Sequence, residues 1–363
     1  MYEGIELLRA LCAADGPSGF EDAVRGVIEA EIKDCCDTYS CDALGSLTAI
    51  IRGTGHNQRV MLSAHMDEVG FMITDVTSDG FLKFETLGGI DNAVLCGKRI
   101  RILRENEPPL PGVILSKPIH LQSKDARDTW TKQENMFIAV GAHSREDAKK
   151  LCDIGDTAVF DSEFTEFGKG NLLIKGKAID DRLGCALMIE TMRTLYAAPR
   201  RSRYDFCFCF SVREETGLSG ARAAAERIAP QLAIVLETTA VADIVGVPDA
   251  KRVAALGKGG VISLLDRGAI YNRELTDFAV QTAKSAKIPF QIKQYVSGGN
   301  DAAHIQRNGS GVRAMALSAP TRYLHSPACV IDRQDYVSMR ALLAAILENL
   351  DAFTPEEALC TQS

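Results

Sequence analysis

The sequence predicts an α/β protein: a mostly parallel β-sheet covered by helices, with a small β-rich domain inserted into it. Three features carry this expectation. Strand-like runs alternate with helical runs at both ends of the chain, the texture between Phe71 and Phe164 changes to short β-like runs, and several strands outside that stretch empty into carboxylates or histidine. The expected division is 1–70 and 165–363 for the larger catalytic unit and 71–164 for the insert.

At 363 residues the chain is long enough for a substantial core and two domains. Its net charge of -7, with lysine and arginine scattered, argues against a nucleic-acid partner. No apolar run approaches membrane length, and Met1–Ala14 carries acidic residues where a signal peptide would be basic, so a cytoplasmic setting is expected. The 11 cysteines lack zinc-knuckle spacing and read as buried free thiols of a reducing compartment.

Met1 to Glu31 has helical spacing broken at Gly16-Pro17-Ser18-Gly19. Strand candidates follow around Cys41–Arg52 and at Arg59–Ala64, the latter ending in His65-Met66-Asp67-Glu68. His65 stands two places before Asp67, and a nearby carboxylate can orient an imidazole through its second nitrogen. In the insert, Phe71–Val76 and Phe81–Glu85 flank a Ser-Asp-Gly turn, and Arg99–Leu103, Val113–Leu115 and Thr157–Phe160 follow, with Pro108, Pro109 and Pro111 expected between strands. One helix is expected near Ser144–Cys152, and His120 and His143 stand alone as structural or exposed residues.

From Gly176 the α/β texture resumes. Ala178-Ile179-Asp180-Asp181-Arg182 precedes an amphipathic helix from Leu183 to about Tyr196, where the two aspartates also suit a simple capping role. Tyr204–Val212 alternates in the period of a strand and stops on Glu214-Glu215, a pair that elsewhere often marks only a solvated loop edge. A helix from Leu218 to Ile228 follows, then the strand Leu232–Leu236 ending at Glu237. The last third offers a helix over Asn272–Lys287, a loop Ser297-Gly298-Gly299-Asn300-Asp301, a strand Val312–Leu317, His325 in a late loop and a closing helix Asp332–Leu350.

In open α/β sheets the functional crevice lies beyond the carboxyl ends of the strands, so one rim would collect His65, Glu214, Glu215 and Glu237, with Asp180 and His325 able to join. Two imidazoles with several carboxylates suit zinc, cobalt or manganese and are too nitrogen-rich for calcium. A shared carboxylate can hold two such ions about 3.5–4 Å apart, as in two-metal hydrolases. Gly217-Leu218-Ser219-Gly220 is not a nucleophile elbow, and Gly257-Lys258-Gly259-Gly260 is not a phosphate loop.

Four motifs in order, Ala64–Gly70, Ala178–Arg182, Arg213–Gly217 and Pro320–Pro327, resemble those of the M42 aminopeptidases, the glutamyl and deblocking group that forms tetrahedral particles and includes relatives labelled endoglucanase. The resemblance implies a zinc-peptidase, phosphorylase/hydrolase-like fold with a PDZ-like dimerisation insert, and dimers building a dodecamer that admits short peptides. It implies one metal on His65 and Glu237, a second on Glu215 and His325, Asp180 bridging them, Asp67 orienting His65, and Glu214 as general base. It also implies a cis bond between Asp180 and Asp181. Glu237 replaces an expected Asp, and Asn300 an expected Thr. The activity expected is metal-dependent removal of N-terminal residues. The alternatives are a related dinuclear amidohydrolase (an acyl-amino-acid deacylase or carboxypeptidase), an endoglucanase, or a non-catalytic peptide-binding particle.

Overall fold

The computed structural model describes residues 1–55, 58–122, 129–199 and 201–353. Two helices, Gly4–Ala13 (α1) and Asp22–Ile32 (α2), lead into strands Thr38–Cys41 (β1), Leu47–Ile51 (β2) and Arg59–His65 (β3). Six strands then form the insert: Gly70–Val76 (β4), Leu82–Leu87 (β5), Arg99–Arg104 (β6), Glu107–Ser116 (β7), Met136–Ala139 (β8) and Thr157–Phe160 (β9). Thr165–Phe167 (β10) and Leu173–Gly176 (β11) bring the chain back to the larger unit. There it continues through helix Ile179–Ala197 (α3), strand Asp205–Ser211 (β12), helix Ser219–Ile228 (α4) and strands Leu232–Ala240 (β13) and Gly260–Ile262 (β14). Helix Arg273–Ser285 (α5), strands Phe290–Ile292 (β15), Arg313–Thr321 (β16) and Cys329–Asp332 (β17), and helix Arg333–Asn349 (α6) complete it.

The principal sheet has eight strands in the order β1-β2-β12-β3-β13-β16-β14-β15. Its centre, β12 to β3 to β13 to β16, is parallel, and the expected α/β class with a mostly parallel sheet is what the chain forms. The central strands are apolar on both faces, as a sheet covered by helices requires. On one face Leu62, Phe208, Phe210 and Ile234 pack with Leu183, Leu187 and Leu343 in the main core, while Cys207, Cys209 and Ala233 meet Ala221, Ala224 and Ala225 in a second cluster on the other. A third cluster fills the barrel, where Phe71 meets Phe84 and Phe160 edge to face at 5.4 and 5.1 Å.

The insert is a closed barrel, β4-β5-β8-β7-β6-β9. Its prolines lie inside β7, not between strands as the composition suggests. Where they occur, β7 pairs only with β6, and β8 joins it further along, at Val113–Ser116. Successive residues of a strand turn their amides to opposite sides, so Pro109 and Pro111 face the unoccupied edge, whereas Pro108 falls at the register shift opposite Ile102–Arg104. Other elements also differ from the reading above. β8 and the small sheet β10-β11-β17 were not anticipated, being short runs without strong alternation. The helix expected over Ser144–Cys152 is a single turn, Arg145–Ala148, capped by the Ser144 hydroxyl. β13 runs on past Leu236 because Thr238 and Thr239 are β-branched and stay in register with Ala319 and Pro320.

One buried cation ties the first thirty residues to the sheet. Arg182 is fully enclosed and donates to the carbonyls of Met66 at 2.6 Å, Leu11 at 2.6 Å and Ala14 at 3.0 Å. Beside it the buried Glu68 carboxylate accepts from Lys177 at 2.6 Å and from the Gly16 amide at 3.2 Å. Replacing Arg182 by Met keeps the volume and orphans those carbonyls. Denaturant unfolding of Arg182→Met should show a loss of about 3–5 kcal/mol, as expected for breaking a buried charged network from one side. A loss under about 1 kcal/mol would show that the carbonyls find other donors.

Candidate active site

β3, β12, β13 and β16 deliver their carboxyl ends to one rim, and the predicted residues converge there. His65 is the last residue of β3, and Glu214 and Glu215 follow β12 in a turn whose entry residue, Arg213, has φ 55°. Glu237 does not follow its strand but sits within β13. β3 pairs with β13 only as far as Val235, so the next residues line an opening in the sheet. Asp180 begins α3 with a non-helical backbone, and its bond to Asp181 is cis. His325 lies four residues past β16 with φ 54°. Such left-handed positions are costly for residues other than glycine and cluster where a structure over-determines a site.

Asp180 is the hub. His65 Nε2 lies 3.5 Å from its Oδ1, and His325 Nε2 lies 3.2 Å from its Oδ2. Glu237 Oε1 is 3.7 Å from His65 Nε2, and Glu215 Oε2 is 3.3 Å from His325 Nε2. Each imidazole is fixed from behind: His325 Nδ1 donates to the Gly89 carbonyl at 2.8 Å, and His65 Nδ1 lies 3.1 Å from the Asp67 carbonyl and 3.3 Å from its Oδ1. With Nδ1 held at a carbonyl oxygen, the proton each ring would give up to a metal is the one on Nε2, whose lone pair would then face the centre, the tautomer a metal needs.

Asp67 does more than orient His65. Its Oδ1 and Oδ2 accept the amides of Glu214 at 3.0 Å and Glu215 at 3.1 Å, so one carboxylate sets both the imidazole and the glutamate pair. Thr238 was missed from sequence; its hydroxyl donates to Asp180 Oδ1 at 2.8 Å. Asp301 was also missed. It is buried behind the site and bonded to the Ser211 hydroxyl at 2.7 Å. No motif spacing marks either residue. Asp181 turns away to the amides of His65 and Gly184, at 3.3 and 3.0 Å. Among the described residues the Glu214 carboxylate has no hydrogen-bond or ion-pair partner, and it faces a cavity of about 150 Å³ shared with His65, Asp180, Glu237 and His325.

The electrostatics are those of a cage awaiting positive charge. Burial pushes Glu237 up to about 8, helped by the negative Asp180, and pushes Glu215 up to about 7 against the pull of His325. Burial and the charges of Glu237, Asp301 and Glu215 hold Glu214 well above the usual carboxylate range, although His65 opposes them. Burial disfavours the charged imidazoles, yet the carboxylates outweigh it, raising His325 to about 10 and His65 well above the ordinary value. Asp180 stays well below the carboxylate range despite burial, because both imidazoles bond to it.

His65, Asp180 and Glu215 each offer a ligand atom within 4.8 Å of the others, and so do His65, Asp181 and Glu237. This mixed nitrogen and oxygen set fits zinc, cobalt or manganese. His120 and His143, by contrast, are exposed on the barrel, far in sequence from any such group.

Fold and site together define a peptidase built on a helix-covered sheet with a barrel insert. The sequence profile of the M42 glutamyl aminopeptidase family matches residues 45–342, so the chain belongs to that family and is a hydrolase acting on peptide bonds. The lysyl aminopeptidase of Pyrococcus furiosus is 33% identical over 359 residues, covering 96% of this chain and 99% of its own length. The TET aminopeptidase from the marine sediment archaeon Thaumarchaeota archaeon SCGC AB-539-E09 superposes with a TM-score of 0.91 at 33% identity, over 96% of this chain and 98% of that one. The Pyrococcus horikoshii TET1 peptidase, which can assemble into a tetrahedron or a large octahedral shell, matches with a TM-score of 0.83 at 34% identity, over 94% and 98%.

The raised groups give a pH signature for the chelated protein. In the unfolded chain Glu215 and Glu237 ionise near the ordinary glutamate value of 4.5 and the histidines discharge near 6.5, whereas in the fold these carboxylates hold protons to about 7 and 8 and His325 to about 10. Stability is therefore full at mildly acidic pH and is lost as pH rises, from about 4.5 through 8 for the two glutamates and from about 6.5 through 10 for His325. Melting temperatures measured with chelator should fall between pH 5 and pH 8, and divalent cation should reverse the fall at the upper end. A chelated protein whose melting point rises over that range would contradict the assignment.

Proposed function

We propose that this chain is a metal-dependent aminopeptidase that removes N-terminal residues from short peptides. The observation that carries the reading is a carboxylate, Asp180, shared edge to edge by two fixed imidazoles, with the partner-free Glu214 beside it. His65 and Glu237 would hold one divalent ion, Glu215 and His325 a second, and Asp180 both. Zinc or cobalt suits these donors best, and manganese is tolerated. When bound, such ions supply Lewis-acid polarisation of the scissile carbonyl and a lowered pKa for water.

The remaining steps belong to side chains of the chain itself. Glu214 takes the proton of the attacking water and returns it to the leaving amine, a role suited to a carboxylate whose proton affinity is raised by burial and by the negative charges around it. Asp67 keeps Glu214 in place through its amide and aims His65. The carboxylates around the cavity favour a free, positively charged amino terminus, which separates an aminopeptidase from a deacylase or carboxypeptidase. A glycosidase has no use for two imidazoles on one carboxylate, and a purely binding particle none for an unpartnered glutamate.

Self-assembly is supported by the Pyrococcus horikoshii TET1 peptidase, which forms a dodecamer and can assemble into a tetrahedron or an octahedral shell; dimers paired through the barrel and built into a hollow dodecamer would confine substrates to short peptides. A cytoplasmic setting suits the ten free cysteines among the described residues, of which only Cys41 and Cys96 are exposed. No described helix is long and apolar enough to cross a membrane.

Aminoacyl-anilides assayed after chelation and readdition of single metals test this function. Activity should vanish with chelator and return with zinc, cobalt or manganese. Glu214→Gln should keep its metal content and lose roughly a hundredfold to ten-thousandfold in turnover. His65→Ala should lose metal by elemental analysis. Turnover indifferent to chelation, or near-normal activity in Glu214→Gln, would overturn the reading.

A further inference from the structure

We propose that Arg322 is a positioning residue whose two-pronged bond to Asp243 fixes the loop that carries His325 toward Asp180. The inference rests on the metal-dependent reading above and adds a residue of the Pro320–Pro327 motif to which that reading gives no part. The loop runs between β16 and β17. Its neck is closed by paired backbone bonds, Arg322 amide to Val330 carbonyl and Val330 amide to Arg322 carbonyl, each 2.9 Å. Within it Tyr323 and His325 both have φ 54°, in the left-handed region that residues other than glycine rarely adopt. A loop wound this way keeps its shape only where its surroundings hold it.

The bonds that leave the loop go in two directions. On the insert side His325 Nδ1 meets the Gly89 carbonyl at 2.8 Å, and the Pro327 carbonyl accepts the Ser162 hydroxyl. On the β13 side the bond is made by Arg322. Its Nε donates to Asp243 Oδ1 at 2.6 Å and its Nη2 to Oδ2 at 2.9 Å, the bidentate geometry in which a guanidinium fixes direction as well as distance. The strand pairing leads straight into this contact. β13 and β16 stay in register to Ala240 and Thr321, the Val241 amide then donates to the Thr321 carbonyl at 3.0 Å, and the ion pair is the next rung. Glu237 sits on one of these strands and His325 beyond the other, so the pair sets the spacing between the two halves of the site.

Asp243 is set up for this contact. Its side chain is 9% exposed, and its Oδ2 also accepts the Leu256 amide at 3.0 Å, which anchors the acid from the far side. Burial alone would raise its proton affinity, yet the guanidinium and that amide hold the carboxyl below the ordinary value. A fully exposed pair would contribute little, but here one partner is largely enclosed and both of its oxygens are bonded. Removing the guanidinium leaves an enclosed carboxylate without its counter-charge and frees the His325 loop on one side. The consequence at the metal centre is asymmetric: the ion on Glu215 and His325 loosens, while the ion on His65 and Glu237 keeps both ligands and the support of Asp67.

Arg322→Met, Arg322→Lys, Asp243→Asn and the double variant Arg322→Met/Asp243→Asn test the role, since Asn can still accept the Leu256 amide. Chelated proteins are titrated with zinc or cobalt, followed by calorimetry and elemental analysis. In Arg322→Met one of the two binding steps should weaken by about tenfold to a hundredfold, the usual cost of losing a group that orients a ligand, while the other is unchanged. Arg322→Lys should recover part of that loss, because an ammonium supplies charge without the bidentate geometry, and the double variant should be no worse than Arg322→Met. Hydrogen exchange of the Val330 amide in the chelated protein should accelerate in Arg322→Met while the amides of β3 stay protected. Equal weakening of both ions, no weakening of either, or a double variant whose loss is the sum of the two singles overturns the proposal. If the unaltered protein binds no divalent ion, the metal reading fails, and exchange at Val330 then decides alone: unchanged exchange in Arg322→Met overturns the role of Arg322, and faster exchange upholds it.

Discussion

Asp180 offers its two oxygens to two imidazoles that come from opposite ends of the chain, and nearly everything else at the rim of the sheet exists to keep that sharing in place. His65 arrives on β3, and His325 comes from a loop more than 250 residues later, two elements that meet only because β3, β13 and β16 lie side by side. A carboxylate alone in such a buried place would take up a proton. This one stays charged because two imidazoles and the Thr238 hydroxyl bond to it, and its charge in turn forces protons onto Glu237. The cluster is a set of mutually frustrated groups, and divalent cations are the simplest species that satisfy all of them together.

The frustration is sustained by the surroundings. Asp67 binds two successive amides and one imidazole, so the turn carrying Glu214 and Glu215 cannot swing away without undoing the orientation of His65. Behind it, Arg182, Glu68 and Lys177 form a second buried polar layer that pins the α1–α2 connection under the site. Polar residues at such density would weaken an ordinary core. Here the flanking apolar clusters, which fill both faces of the sheet, supply the stability against which the charged layer is held.

The fold class, and the strand ends that carry part of the candidate site, were legible in the sequence for a physical reason. Strand periodicity and strand-end chemistry are local, and His65, Glu214 and Glu215 are marked by the strands that lead to them. What was illegible is whatever depends on register or on isolated polar contacts. Nothing in Leu232–Glu237 says that pairing with β16 will carry the strand on to Ala240. A single threonine or an aspartate in a glycine-rich loop looks like any surface residue until the sheet brings it to the cavity. The prolines of β7 misled for the converse reason: Pro109 and Pro111 forbid pairing only on the side that the barrel leaves unused, and a register shift accommodates Pro108.

The insert is also nearer to the chemistry than a separable appendage would be. Between β5 and β6 the chain passes Gly88 and Gly89, and the Gly89 carbonyl receives the Nδ1 proton of His325. Gly88 has φ +93°, and a Cβ there would stand 2.8 Å from Val69 Cγ1 and 3.2 Å from Glu215 Cβ, so no larger residue fits without moving the glutamate. Arg101 on β6 meets Asp15 at 2.5 Å, and Asp15 meets Lys177 at 3.0 Å, which continues the contact into the layer under the site. Two independent bridges therefore run from barrel to rim, one holding an imidazole and one holding the floor. A force on the barrel therefore acts on the backbone that aims His325, and the position of the barrel and the geometry of the site are tied through the same few residues.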